Sequence, residues 1–254
     1  MKSNNPFEAH NIDHLSPSKI NLWVADPALF VGTYLCGMKG SFGVGAFRGT
    51  AVEYALEKKL NNNKYPPKAM DEFLYGKFDE ECLEHNVSID DEKTQKERKS
   101  LESYYNVATE AYEDFGTPTH YQQKIYFQHE DLPIPFLGYI DFMYENAIRD
   151  LKTVGARPSN FSEAHQRQLA VYSHAYPDKE MWCDYVTKKE AVSFKLQNPK
   201  DKFKEVIRIC FGLQKFLSIS NDAFELASML HPNYDDWRWS EDLKQQSTKI
   251  WSNE

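Results

Sequence analysis

Asp141, Asp150 and Lys152 are the residues of this chain whose types and spacing best suit chemistry. They lie in a segment, residues 136–153, that alternates large apolar with small or polar residues, turns at Glu145-Asn146 and returns. That pattern predicts a β-hairpin with strands over residues 137–144 and 147–153. Side chains alternate faces along a strand, so Asp150 and Lys152 point the same way. Pairing the strands can bring Asp141 near Asp150. Two converging carboxylates repel unless a cation sits between them. A hard divalent ion with oxygen ligands suits that place. The competing reading is a pair of solvated strand-end carboxylates with Lys152 as their salt-bridge partner, because short charge patterns recur by chance.

The neighbourhood on both sides favours chemistry. Upstream, residues 47–57 open a helix after a Gly-rich stretch and place Glu53 and Glu57 at i, i+4 on one face. Glu57 reads as solvated or salt-bridged. Downstream, residues 166–174 form another helix with Gln168 and Tyr172 on a shared face. The order is a carboxylate on a helix, an Asp and an Asp-x-Lys on a hairpin, then Gln and Tyr on a helix.

This ordered set resembles the PD-(D/E)xK nuclease superfamily, in the branch of the RecB and AddB nuclease domains and the RecB-like CRISPR-associated exonucleases. Leu15-Ser-Pro-Ser18 followed by Asp26-Pro27 is similar to the branch's opening L-S-x-S…C-P segment. Gly49-Thr-Ala-Val-Glu53 is similar to G-x-x-x-H, Gly138-Tyr-Ile-Asp141 to G-x-x-D, Asp150-Leu-Lys-Thr153 to D-x-K-T, and Gln168-Leu-Ala-Val-Tyr172 to Q-L-x-x-Y. Two positions depart from the pattern. Glu53 stands where the branch has histidine, and Asp26 where it often has cysteine. A carboxylate also binds divalent ions, so Glu53 is compatible with catalysis.

The resemblance implies an α/β (α+β) fold with a restriction-endonuclease-like core, a central mixed β-sheet flanked by helices. It implies a Mg2+- or Mn2+-dependent deoxyribonuclease, with an exonuclease preferred over a site-specific endonuclease. Asp141 and Asp150 would bind the ion directly, with Glu53 as a third ligand and the Leu151 carbonyl as an additional one. Lys152 would orient or activate the attacking water or offset developing charge. Gln168 would position these groups and Tyr172 would contact the DNA backbone or brace the helix; ordinary helix packing is the competing reading for both. DNA is the implied substrate, a replication or recombination protein the implied partner class, and a phage origin the implied setting, which would place the protein in host cytoplasm. The alternative function is a catalytically silent DNA-binding or scaffolding module on the same fold.

Further basic residues flank this constellation. Arg48 could hold a phosphate, and Arg157, Arg167, Lys188 and Lys189 could form a basic track; exposed surface charge is the default for each. Trp237-Arg-Trp239 could stack on single-stranded bases, or pack a terminal segment onto the core. His85, His120 and His129 read as surface residues.

Composition narrows the classes. A chain of 254 residues can bury one sizeable core, so one domain over residues 1–254 with a helical insertion at about 64–117 is expected. No stretch approaches the apolar length of a membrane span. The first residues lack a signal-peptide apolar region, so an intracellular, cytoplasmic site is expected. Cluster-bearing relatives carry one cysteine near the N-terminus and three close together near the C-terminus. Here Cys36, Cys82, Cys183 and Cys210 are scattered, so no iron–sulfur cluster or zinc site is expected. Cys183 and Cys210 read as buried small hydrophobes. A net charge of −8 excludes a generic basic nucleic-acid coat. It leaves room for an acidic metal centre, with weak nonspecific DNA affinity or reliance on a partner.

The expected elements are helices at about 16–25, 26–35, 46–60, 68–86, 90–115, 159–175, 199–218 and 222–229. Strands are expected at 121–129, 137–144, 147–153, 181–187 and 191–196, with the 159–175 helix crossing between the third and fourth.

Overall fold

The computed structural model describes residues 5–40, 43–61 and 71–252. Its helices are α1 (Pro6–Ala9), α2 (Pro17–Ala25), α3 (Pro27–Tyr34), α4 (Val44–Asn61), α5 (Lys77–Glu84), α6 (Glu92–Arg98), α7 (Leu101–Tyr112), α8 (Glu163–Ala175), α9 (Pro199–Leu217), α10 (Ala223–Ser228) and α11 (Glu241–Trp251). Its strands are β1 (His120–Phe127), β2 (Phe136–Met143), β3 (Ala147–Thr153), β4 (Glu180–Val186) and β5 (Ala191–Lys195). They form one sheet in the order β1-β2-β3-β4-β5. β3 and β4 run parallel and the other pairs antiparallel. A parallel pair needs a crossover, and α8 supplies it. This is the expected mixed sheet flanked by helices.

Alternation on the strands divides the apolar residues between two faces. On one face Ile140, Ile148 and Cys183 pack with Leu169 and Val171 of α8 and Val206 and Leu213 of α9. On the other, Phe142, Leu151 and Val186 pack with Ala51, Val52 and Leu56 of α4, Phe78 of α5 and Tyr104 and Tyr112 of α7. The sheet is therefore clamped between α4 and α8, the two helices that carry Glu53 and Gln168.

Three expectations need adjusting. The helix expected at 68–86 is a π-helical turn (Glu72–Gly76) running into α5, and residues 68–70 of that expectation, like the break at 62–67, lie outside the described residues. The helix expected at 90–115 breaks into α6 and α7 at Lys99-Ser100, where Ser100 Oγ donates to the Glu97 carbonyl at 2.7 Å. A serine that bonds nearby backbone competes with helix continuation. Helix α1, with Phe7 fully buried, was not expected, and neither was helix α11. Its signals are modest: a Ser240 cap accepting from Leu243 N–H, and Leu243, Ser247 and Trp251 at helical spacing.

Helix α11 belongs to a C-terminal segment closed onto the N-terminal helices. Asp26 caps α3 by accepting from Leu29 N–H at 2.8 Å, and its second oxygen accepts from the Trp239 indole at 2.6 Å. Trp239 is buried beside Ala28, Leu29 and Leu243. Asp26→Ala removes a cap worth about 1 kcal/mol and strands the buried indole N–H, at about 1–3 kcal/mol. Chemical denaturation should show a loss of about 2–4 kcal/mol, with Asp26→Asn losing less.

Candidate active site

β2 and β3 pair over a short stretch, Phe142 with Arg149 and Met143 with Ile148. Beyond that the strands part. Along the free edge of β2, Leu15 takes the place of a strand: its N–H donates to the Pro135 carbonyl and its carbonyl accepts from Leu137 N–H, both at 2.8 Å. At the point of divergence the Asp141 carboxylate accepts the Leu151 N–H at 2.9 Å. A side chain thus supplies the acceptor where the neighbouring strand has moved away.

The other expected residues converge on this fork. Lys152 Nζ lies 2.5 Å from Asp150 Oδ2 and 3.9 Å from Asp141 Oδ2. Asp150 is 1% exposed. Its Oδ1 accepts from Gln168 Nε2 at 2.8 Å, the same amide donates to the Tyr172 hydroxyl at 2.8 Å, and that hydroxyl donates to the Tyr139 carbonyl at 2.6 Å. The i, i+4 pair on α8 therefore spans the fork from β3 to β2. Gly138 permits this: a Cβ there would stand 3.0 Å from Tyr172 Cε1 and 3.2 Å from Ile125. Leu151 contributes its N–H to Asp141.

Glu53 enters from α4, half-buried, and accepts from the Gln122 amide. Gln122 was not identified from sequence, and nothing in its local pattern marks it. Its φ is +45°, the left-handed region that non-glycine residues rarely occupy. Pairing of β1 with β2 keeps one register on either side, Tyr121 with Phe142 and Gln123 with Ile140. Yet Tyr121 and Phe142 pack toward α4, while Ile125 and Ile140 pack toward α8. The ribbon turns over at Gln122 and Asp141. Backbone strain of this kind is held where a structure needs a side chain re-aimed.

Crowded, half-dry carboxylates resist ionisation. Burial pushes the Asp141 carboxyl well above the usual range, and Glu53 and Asp150 add to the rise; Lys152 and the Leu151 N–H oppose it. Burial lifts Glu53 to about 7, with Lys152 lowering it, Asp150 raising it and the Gln122 bond lowering it. Burial disfavours the Lys152 charge, but Asp150 and Asp141 hold its proton well above the ordinary lysine value. Burial and then the two aspartates raise the Tyr172 phenol.

A divalent cation fits the donor set. Asp150 Oδ2 is sealed from solvent with no hydrogen-bond partner of proper geometry, and what approaches it is the Lys152 ammonium. Hard carboxylate oxygens around a cation are the donors Mg2+ and Mn2+ prefer. Among the described residues no three His, Cys, Asp or Glu side chains are grouped so that together they could hold a metal ion. Here the lysine takes the position between the aspartates.

The sequence matches the profile of the PD-(D/E)XK nuclease superfamily over residues 14–252. The chain belongs to the PD-(D/E)XK nuclease superfamily. A candidate exonuclease from Eubacterium rectale shares the fold, with a TM-score of 0.60, 10% identity, and coverage of 100% of this chain and 99% of that one. The solved structure of SSO0001 aligns with a TM-score of 0.34 and 15% identity over 71% of this chain and 79% of that one. No curated protein matches the sequence. Divalent metal ions are in general use among PD-(D/E)XK nucleases.

Within this PD-(D/E)XK site, two arginines expected near a phosphate are internal instead. Arg48 is buried, pairs with Glu97 at 2.5 Å, and donates to the Thr153 hydroxyl and carbonyl at 3.2 and 3.1 Å. It stacks 4.4 Å from the Tyr104 ring. It locks the Glu53 helix to the Asp150 strand. Arg167 is buried and donates to Asn21 of α2 at 2.8 Å. Both sit on helix faces turned inward, which a charge pattern cannot reveal. Arg157 pairs with Glu190 at the surface, and Lys188 and Lys189 are exposed at the β4–β5 turn. Glu57 pairs with Lys58 at 3.5 Å. Trp237 is 83% exposed while Trp239 is buried. His85 and His120 are exposed, as expected, with His85 also stacking on Phe47, whereas His129 is half-buried against His174 and Phe203.

The raised Glu53 pKa gives a signed expectation. The folded state holds this proton more tightly than an ordinary carboxyl at 4.5. Its stabilising share is full below that value and is lost as pH rises to about 7. Without metal, melting temperature should fall across that window, and Glu53→Gln should flatten the fall. Mg2+ competes with the proton, so its stabilisation should grow over the same window. Melting curves against pH, with and without Mg2+, measure both.

Proposed function

We propose that this chain is a Mg2+- or Mn2+-dependent deoxyribonuclease that works as an exonuclease, one nuclease domain with α5–α7 as an added helical region. The carrying observation is the Asp141–Lys152–Asp150 cluster at the β2–β3 fork, with Glu53 of α4 near enough to raise the Asp141 carboxyl. Asp141 and Asp150 would hold the ion, with Glu53 and the Leu151 carbonyl completing the set. When bound, the ion supplies a more acidic water and charge relief at the phosphoryl oxygens. Lys152 would orient the attacking water and offset charge on the phosphate. Gln168 fixes the Asp150 carboxylate through Oδ1, and the Lys152 ammonium stands at Oδ2, where the ion would bind. Tyr172 anchors that glutamine.

The exonuclease part is supported by the Eubacterium rectale neighbour, a candidate exonuclease aligned over the whole chain, and by the lack of a recognisable sequence-reading module. Work in DNA replication, recombination or repair, with a protein partner, in phage-infected cytoplasm, fits a nuclease of net charge −8. No described helix is long and apolar enough to cross a membrane.

End-labelled linear DNA with Mg2+ or Mn2+ should be shortened progressively from an end. Asp150→Ala, Asp141→Ala and Lys152→Ala should each lower the rate by at least about a hundredfold while the protein keeps its circular dichroism. Glu53→Ala should be milder, and Glu53→His should retain activity with a changed metal preference. Intact DNA after incubation of folded protein with both ions would refute the enzyme reading, and wild-type cleavage by Asp150→Ala would refute the site.

A further inference from the structure

The turn-over of the β1–β2 ribbon leaves one sheet face uncovered beside the metal-site carboxylates. Side chains on it alternate at period two. On β1 they are Gln122, Lys124 and Tyr126, and on β2 Asp141, Tyr139 and Leu137. Lys124 lies directly opposite Tyr139, and Tyr126 opposite Leu137. The strip thus runs outward in ranks: Gln122 beside Asp141, then Lys124 with Tyr139, then Tyr126 with Leu137. Tyr139 is 49% exposed and Tyr126 66%. Both carry large aromatic rings with little cover, and Lys124 Nζ stands 6.0 Å from the Tyr126 ring centroid. Burial alone does not account for two tyrosines left this open.

The strip is continuous with the site. Gln122 bonds Glu53, Asp141 is the proposed metal ligand in the first rank, and the Tyr139 carbonyl accepts from the Tyr172 hydroxyl. A cleft of about 470 Å³ meets the strip at Leu137 and Tyr139 and is walled by Pro17, Ser18 and Asn21 of α2 and by Gln168 and Tyr172 of α8. Ranks on a strand face recur about every 7 Å, a spacing that an extended nucleotide can match. Aromatic faces stack on any base, and one lysine among them meets one phosphate.

We propose that this ribbon face is the track for a single DNA strand next to the scissile phosphate, with Tyr139 and Tyr126 as base-stacking platforms and Lys124 as the phosphate contact. The proposal rests on the nuclease reading and adds a strand preference to it: the segment flanking the cleaved bond is bound unpaired. The same face at a sheet edge could instead pair with a protein strand, and the test separates the two.

Fluorescence anisotropy of a labelled oligothymidine in Ca2+, which takes oxygen ligands of the same kind, reads binding directly. Tyr139→Ala should weaken it about tenfold or more, and Tyr126→Ala several-fold, as expected for one lost stack. Tyr139→Phe should restore it, since the ring and not the hydroxyl is used. Lys124→Ala should lower the slope of log affinity against log salt by about 0.7. In Mg2+, Tyr139→Ala should raise KM for single-stranded substrate while kcat changes little. Wild-type affinity in both alanine variants would overturn the track, whatever the cleavage assay shows. Loss of binding of equal size in Tyr139→Phe would also overturn it. A wild-type protein that binds the oligonucleotide through these tyrosines but cuts nothing would leave the track standing and remove the nuclease reading.

Discussion

The early parting of β2 from β3 is the constraint on which the rest depends. Two ladder pairs hold the strands together, and then the Asp141 carboxylate takes the Leu151 N–H that a neighbouring carbonyl would otherwise receive. An unpaired backbone donor inside a protein is costly, so the fork is stable only with an acceptor at its apex. That acceptor is an anion. The requirement that satisfies the backbone therefore also delivers a carboxylate to a dry, concave place. The free edge of β2 must then be covered, and Leu15 covers it. The free side of β3 must be tied back, and the Gln168–Tyr172 pair ties it.

Gathering acids in such a place has a cost that the surroundings meet in three ways. Lys152 neutralises part of the charge at close range. Gln122 holds Glu53 at the expense of a left-handed backbone, a strain of about 1–3 kcal/mol. Arg48 clamps α4, the helix that carries Glu53, onto the end of β3 through Thr153. Gly49 allows the approach, since a Cβ there would stand 3.4 Å from Thr153 Oγ1. Lys152 and Gly49 belong to the motifs; Gln122 and Arg48 lie outside them and act on motif residues.

What the sequence revealed follows from how local the signal was. The hairpin, the shared face of Asp150 and Lys152, and the i, i+4 pairing of Gln168 with Tyr172 all come from fixed periods of strand and helix, and the structure has each of them. The two faces of the sheet and the α8 crossover follow from the same periods. The fork did not show, because strand divergence depends on register between segments and not on either one. Gln122 did not show, because its role needs a backbone angle that its neighbours impose from across the ribbon. Arg48 and Arg167 misled for the related reason that a guanidinium can be internal when a partner such as Glu97 or Asn21 is distant in sequence.

The Asp26–Trp239 contact ties the C-terminal segment to the N-terminal helices. One oxygen of Asp26 caps α3 and the other accepts from the Trp239 indole. Trp239 in turn packs edge-on against Trp251 of α11. Cys36, just past α3, approaches the Ala223 carbonyl of α10 at 3.8 Å. A single carboxylate thus couples the start of one helix to the seating of a segment far away in sequence. Loosening at either end is passed to the other, so the two segments open as one cooperative unit.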